Sequence, residues 1–276
     1  MRGKMLQALI VVSAISGLVW MGGLAWAMKD YFSGGEPVVL TSPQPSATTP
    51  PAQPVQAAPV TSPGANNQAY RVVGLGDSLT RGFGDPEGLG YGGKLANLLR
   101  EGGQEVVYDN LGVNGQTAPQ LVSLLQQQDV QAKVKTARLL LVSIGGNDLF
   151  RGGETLSNLE STRIASLQTE YNKQLKTILT RLRELNPDAA ITLIGLYNPF
   201  IELQNSAVTS KIVRDWNYAA GETLAAFPKT MLVPTFDLFQ FQSKDVLYID
   251  QFHPNANGYE LMAERIEAAL GEQGGA

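Results

Sequence analysis

The chain of 276 residues contains no cysteine and a single histidine, His253. Without cysteine, disulfide bonds, thiolate nucleophiles, zinc–thiolate sites and a lipid-modified N-terminal cysteine are all excluded. One histidine also excludes a metal site built from several imidazoles, and no EF-hand spacing of carboxylates is present. We therefore expect no metal site and no organic cofactor.

Charged residues are scarce as well. They make up 17% of the chain, and the formal net charge is −4. Because lysine and arginine are not in excess, nothing indicates a nucleic-acid partner. The remaining composition is that of an ordinary globular protein.

A long apolar run lies in the N-terminal segment, residues 1–33. It follows Arg2 and Lys4 and extends to about residue 28, and about 20 residues suffice to cross a bilayer as a helix. The run is longer than the apolar core of roughly 7–15 residues in a secretory signal, although Ala25-Trp26-Ala27 resembles a cleavage site. We expect a transmembrane anchor, with a cleaved signal segment as the alternative. Basic residues before the run place the rest of the chain outside the cytoplasm.

Two further zones follow this segment. Residues 34–68 are rich in proline, alanine, serine, threonine and glutamine. Such sequence cannot bury enough apolar surface to fold, so we expect a disordered linker. Residues 69–276 have the length and composition of a single domain.

Within this domain, short apolar runs alternate with helical patterns. The continuous apolar run at residues 139–142 indicates a strand buried on both faces. The alternation predicts an α/β fold, a three-layer sandwich with a central parallel sheet flanked by helices. The predicted strands are 70–75, 105–110, 138–144, 190–196 and 231–234. The predicted helices are 93–101, 118–127, 159–185, 206–227 and 255–270.

Polar and glycine-rich clusters follow the first three predicted strands, at residues 76–78, 110–115 and 145–148. His253 directly precedes the last predicted helix. Any one cluster is explained by turn chemistry alone. In a parallel sheet, however, ligands bind beyond the carboxyl ends of the strands. Serine, histidine and aspartate are the parts of an acyl-transfer site, so we expect these segments to meet at one rim.

Together these segments resemble the GDSL family of serine esterases and lipases, in its SGNH hydrolase branch. The resemblance covers most of residues 69–276 and rests on four blocks in the order of the family. The matching blocks are Gly76-Asp77-Ser78, Asn114-Gly115-Gln116-Thr117, Gly145-Gly146-Asn147-Asp148 and Asp250-Gln251-Phe252-His253. For the oxyanion-hole glycine, Gly112 is the less favoured register. The resemblance implies the flavodoxin-like SGNH hydrolase form of the fold.

The resemblance also implies a role for each matching residue. Ser78 is the expected nucleophile, His253 the general base and Asp250 the acid that orients the imidazole. The expected oxyanion hole consists of the N–H groups of Ser78 and Gly115 and the side-chain amide of Asn147. These roles fit the chemistry, because a serine hydroxyl needs a neighbouring base and the tetrahedral intermediate needs fixed donors.

Other conspicuous residues have simpler interpretations. Asp77 and Asp148 are interpreted as turn or helix-capping carboxylates. The glycine run at residues 88–94 is interpreted as a loop opening a helix, because Leu95 stands where a phosphate loop needs serine or threonine. Tyr91 within it is left open as a substrate contact. A group of aromatic residues is interpreted as core packing, of which part could line an acyl pocket: Phe236, Phe239, Phe241, Tyr248 and Phe252.

The sequence therefore predicts an extracytoplasmic serine hydrolase that cleaves carboxylic esters. The candidate substrates are lipids, lysophospholipids and O-acetyl groups on a cell-wall glycan. The expected partners are this ester substrate and, through the N-terminal helix, the membrane. The alternative is a membrane-tethered module that binds cell-wall glycan and retains the hydrolase fold without turnover.

Overall fold

The structure is a computed structural model that describes residues 69–240 and 243–273. The expected anchor and linker lie outside the described residues, as does Phe241. Within the described ranges, no helix has the length and apolar character needed to cross a membrane.

A five-stranded sheet forms the centre of the domain, and every neighbouring pair of strands is parallel. The strand order is β2-β1-β3-β4-β5. The chain therefore moves to one side of β1 and then returns to the other side, which creates a crevice beyond the carboxyl end of β1. The strands are β1 (Tyr70–Gly76), β2 (Val106–Gly112), β3 (Leu139–Ser143), β4 (Ala190–Ile194) and β5 (Thr230–Val233).

Ten α-helices and one 3₁₀-helix connect or follow these strands in the described part of the chain. The helices that precede β4 are α1 (Ser78–Arg81), α2 (Gly90–Glu101), α3 (Ala118–Leu124), α4 (Gln128–Thr136), α5 (Gly146–Phe150), the 3₁₀-helix (Arg151–Ser157) and α6 (Ser161–Leu185). The helices that follow β4 are α7 (Ser206–Leu224), α8 (Phe236–Gln240), α9 (Ser243–Val246) and α10 (Ala256–Gln273).

The sheet is buried on both faces, and each face has its own apolar core. Val73 and Leu75 of β1 pack with residues of α3, α4, α6 and α7, whereas Val72 packs with residues of α2 and α10. This division follows from the alternation of side chains along a strand. The three layers confirm the predicted fold class, a parallel sheet between two layers of helices.

The predicted strands are confirmed to within two residues at each end. Four of the five predicted helices are present with shifted ends. The predicted helix at 118–127 is wrong at its C-terminal end, because α3 stops at Leu124 and a separate α4 begins at Gln128. The short segments α1, α5, α8, α9 and the 3₁₀-helix were not predicted.

Candidate active site

Ser78 is the first residue of α1, directly after the central strand β1. The turn before it requires glycine at position 76, where φ is +131° and a Cβ atom would lie 1.9 Å from the carbonyl oxygen of Ser143. Asp77 caps the helix, since its Oδ1 accepts the N–H of Leu79 at 3.0 Å. The turn therefore holds Ser78 at the carboxyl end of β1.

A continuous chain of hydrogen bonds links Ser78, His253 and Asp250. The Ser78 Oγ lies 2.8 Å from His253 Nε2, and His253 Nδ1 lies 2.6 Å from Asp250 Oδ2. Ser78 and His253 are 175 residues apart in the sequence, so only the tertiary fold brings them together. This is the relative placement of nucleophile, base and orienting acid in a serine hydrolase.

The loop carrying His253 is fixed on several sides. Asp250 Oδ1 accepts the N–H groups of both Phe252 and His253 at 3.0 Å. The hydroxyl of Tyr197, from the segment after β4, donates to the carbonyl of Phe252 at 2.5 Å. The N–H of Tyr248 donates to the carbonyl of His253 at 2.7 Å. These bonds fix the backbone of the loop from which the imidazole extends.

Asp250 is ionised at neutral pH. Partial burial raises the pKa of its carboxyl, but the hydrogen bonds from the His253 ring and from the N–H groups of His253 and Phe252 outweigh burial and hold that pKa below its ordinary value. An ionised carboxylate favours the His253 tautomer with its proton on Nδ1. The Nε2 atom is then free to accept a proton from Ser78.

The segments of Gly115 and Asn147 are tied to each other. The Asn147 side-chain amide donates one N–H to the carbonyl of Gln116 at 2.9 Å, which leaves its second N–H for a ligand. Gly115 has φ +75°, and nothing lies within 4 Å of where its Cβ would be. Its N–H donates to no acceptor in the described part of the chain. The N–H of Gly112, in contrast, is used by Asn110 Oδ1 at 3.0 Å, which disfavours that register.

Asp148 and Asp77 have the capping positions that the sequence predicted. Both oxygens of Asp148 accept the N–H of Ala118, the first residue of α3, at 3.0 Å. Asp148 therefore caps a helix that is distant in the sequence and joins the Gly115 loop to the Asn147 loop. Burial raises the pKa of Asp148 to about 6, despite the hydrogen bonds that it accepts.

A buried polar network behind Ser78 was not predicted. Ser143 Oγ donates to Asp77 Oδ1 at 2.8 Å, and Thr80 Oγ1 lies 2.7 Å from Ser143 Oγ and 2.6 Å from the Tyr91 hydroxyl. The side chain of Tyr91 is fully buried, so the open interpretation of Tyr91 as a substrate contact is wrong. The network fixes the turn that carries the serine.

Asp77 is expected to make folding stability depend on pH. Burial raises its pKa to about 7 in spite of the hydrogen bonds from Ser143 and Leu79. The folded state therefore retains this proton at pH values where the unfolded chain, with an ordinary carboxyl pKa near 3.8, has lost it. Stability falls as pH rises from about 4 to about 7 and then levels off. The contribution is on the order of 4 kcal/mol, since each unit of pKa shift corresponds to about 1.4 kcal/mol.

Asp77→Asn tests this expectation, because an amide keeps an oxygen acceptor but cannot ionise. Urea unfolding of both proteins at pH 4.5 and pH 8 should show the variant gaining stability relative to the wild type at the higher pH. Any constant cost of the substitution cancels in this comparison. A stability difference that is the same at both pH values would contradict the raised pKa.

An apolar cavity of about 1010 Å³ opens beside His253. Three phenylalanine rings in its wall pack against one another, with centroid distances of 5.0 Å for Phe150–Phe200, 6.1 Å for Phe150–Phe252 and 5.9 Å for Phe200–Phe252. Phe252 and Tyr248 line the cavity, whereas Phe239 is buried in the core. Part of the predicted aromatic group therefore borders the site. The other apolar residues in the cavity wall are Leu156, Pro199, Leu203, Leu247 and Ile249.

Comparison with known proteins identifies the family of the chain. The model of the GDSL-like lipase/acylhydrolase family matches residues 75–261. The protein YpmR of Bacillus subtilis, which is uncharacterised, is 34% identical over 74% of this chain and 82% of its own. The spore germination lipase LipC of Bacillus licheniformis is 26% identical over 71% of this chain and 93% of its own.

A solved structure supports the same assignment. The lipase Lip_vut3 from a goat rumen metagenome superposes with a TM-score of 0.66 at 25% identity, over 73% of this chain and 97% of its own. The chain belongs to the GDSL-like lipase/acylhydrolase family and is an ester-hydrolysing enzyme. The predicted enzyme class is therefore confirmed, and the alternative of a binding module without turnover is not favoured.

Proposed function

We propose that this enzyme cleaves carboxylic esters through an acyl-enzyme on Ser78. The observation that carries the proposal is the unbroken hydrogen-bonded chain from Ser78 Oγ through both ring nitrogens of His253 to Asp250. These three groups supply the nucleophile, the general base and the orienting acid that acyl transfer requires.

In the first half of the reaction, Ser78 Oγ attacks the ester carbonyl carbon as its proton passes to His253 Nε2. The negative charge that develops on the carbonyl oxygen is met by the N–H groups of Ser78 and Gly115 and by the free N–H of the Asn147 amide. The protonated imidazole, stabilised by the Asp250 carboxylate, then protonates the leaving alcohol. A water molecule completes the cycle by the reverse proton transfers and releases the acid.

The substrate is an ester with a hydrocarbon acyl chain, of the lipid or lysophospholipid class. The cavity beside His253 is large and lined mostly by apolar and aromatic side chains, with Glu202 and Gln251 among its polar ones. Burial of methylene groups against the apolar part is favourable. An acetyl group on a glycan would fill little of this volume. We therefore favour a lipid ester over an O-acetyl glycan among the substrates that the sequence left open.

Hydrolysis of a series of p-nitrophenyl esters tests the substrate class. Each methylene buried in the cavity contributes about 0.8 kcal/mol, or roughly a factor of four. We expect kcat/KM to rise roughly fifteenfold from acetate to butyrate, which adds two methylenes, and to continue rising until the cavity is filled. A series that is flat, or that falls from acetate onward, would favour an acetyl esterase.

Phe200→Ala links this preference to the cavity wall. The variant should lower kcat/KM for octanoate more than for acetate, because only the longer chain contacts the ring. Tyr218→Ser, an exposed aromatic on α7, serves as the control and should change neither value.

We also propose that the apolar segment at residues 1–33 anchors the enzyme in a membrane, with residues 69–276 outside the cytoplasm. The supporting observations are the length of the apolar run and the basic residues before it. After expression of the full chain, an alkaline carbonate wash should leave it in the membrane fraction. Recovery of a shortened chain in the medium would instead establish a cleaved signal segment.

A further inference from the structure

Three exposed apolar side chains lie close to the catalytic histidine or to the cavity beside it. Ile249, directly before Asp250, is 84% exposed, Leu203 is 45% exposed and Phe83 is 42% exposed. Ile249 and Leu203 lie at the margin of the apolar cavity. The Phe83 ring lies outside the cavity wall, with its centroid 4.6 Å from that of the His253 ring. We call Phe83, Leu203 and Ile249 the apolar rim.

Exposed apolar side chains scattered singly over a surface are ordinary. The rim differs because its members lie on three separate segments, after α1, after β4 and before α10. Each of them lies either at the cavity margin or against the His253 ring. Exposure of these side chains to water is unfavourable, because each presents hydrocarbon surface. Apolar patches beside a binding cleft mark contact with another apolar phase.

The sequence before the described domain indicates which phase this is. The apolar run of residues 1–33 is long enough for a bilayer, and about 35 residues separate it from the domain. The residues between them are rich in proline, and about 35 residues reach at most about 120 Å even when fully extended. The domain therefore stays within reach of the bilayer, whichever of its faces meets the surface.

We propose that the apolar rim docks on the surface of the phospholipid bilayer that holds the N-terminal anchor, so that the cavity opens toward the lipid. This inference rests on the proposed function, because it makes the bilayer the source of the ester substrate. Ile249, Leu203 and Phe83 enter the interfacial region, as apolar side chains of peripheral proteins do. A lipid chain then moves from the bilayer into the cavity without crossing water.

The absence of cysteine from the chain allows a direct test. Ile249→Cys, Phe83→Cys and Tyr218→Cys are each prepared in the full chain and labelled with an environment-sensitive fluorophore. Tyr218 is the matched control, because it is 70% exposed and lies in the middle of α7. Each protein is reconstituted into vesicles of ether-linked phosphatidylcholine, which offers no carboxylic ester for hydrolysis. Circular dichroism and urea unfolding verify that each labelled protein is folded.

Docking predicts that the labels at positions 249 and 83 shift their emission to shorter wavelength and lose quenching by iodide, while the label at 218 remains in water. A shift at 249 alone would mean that a lipid chain enters the cavity without docking of the rim, since Phe83 does not line the cavity. No difference among the three labels would also overturn the proposal. Failure of the proposed function is distinguishable, because the unlabelled wild type would then hydrolyse no soluble p-nitrophenyl ester.

Discussion

Ser78→Ala is expected to lower kcat for ester hydrolysis by about 10⁶-fold, the loss seen when a serine hydrolase loses its nucleophile. The reason is that, among the described residues, the hydroxyl within hydrogen-bond distance of His253 Nε2 is that of Ser78, at 2.8 Å. Rates are measured with p-nitrophenyl butyrate, and the fold is checked by circular dichroism. Because nucleophile and base act as one unit, the double variant Ser78→Ala/His253→Ala should be no slower than the single variant.

Ser123→Ala is the control for this substitution. It lies exposed on α3, and its hydroxyl donates to the carbonyl of Pro119, so its removal should leave kcat unchanged. Turnover near the wild-type rate in Ser78→Ala would show that the ester is cleaved by another group.

Asp250→Asn is expected to lower kcat by about 10⁴-fold with little change in KM. The carboxylate accepts a hydrogen bond from the Nδ1–H of His253 at 2.6 Å, whereas an amide nitrogen in that place would donate one. The imidazole would then carry its proton on Nε2, where it cannot accept the proton of Ser78. The carboxylate pKa is held low, so the wild type has its acceptor throughout the neutral range.

Steady-state kinetics of Asp250→Asn are compared with those of Asp237→Asn. Asp237 also forms a charge-assisted pair, with Arg265 at 2.7 Å, but this pair lies on the surface at α8 and α10. Its loss should not affect kcat. If Asp250→Asn lowered kcat no more than Asp237→Asn does, the Asp250 carboxylate would have no catalytic role.

Much of the fold could be predicted because its strands are buried on both faces. The run at residues 139–142 is apolar at every position and was recognisable as β3 for that reason. The order of the strands was not predictable from such local patterns. Nothing in the sequence of β1 or of β3 indicates that these two strands pair with each other. The order matters, since it places the ends of β1, β2 and β3 side by side.

The short helices were not predictable, because each is too short to show a helical period in its sequence. α1 and α9 are four residues long and α5 and α8 are five, about one turn each. α4 was missed for another reason. Of its nine residues, only Val130 and Val134 are buried, and two apolar positions do not establish a helical pattern.

The candidate site also contains residues that could be predicted from the sequence and residues that could not. Ser78, Asp250 and His253 could be proposed because each lies in a short block that the family shares, and the structure brings their side chains together. The supporting network could not be proposed. Thr80, Ser143 and Tyr91 look like ordinary residues of a turn, a strand and a helix, and their function in positioning the turn depends on contacts across the sheet.

The central claim is that the Ser78 hydroxyl forms the covalent intermediate. The most direct measurement is reaction of the full chain with a fluorophosphonate, followed by mass spectrometry of the tryptic peptide 72–81, which is bounded by Arg71 and Arg81. We predict one adduct, located on Ser78, absent from Ser78→Ala and formed more slowly in Asp250→Asn. An adduct on a different residue, or an unmodified chain that hydrolyses esters at full rate after treatment, would contradict the claim.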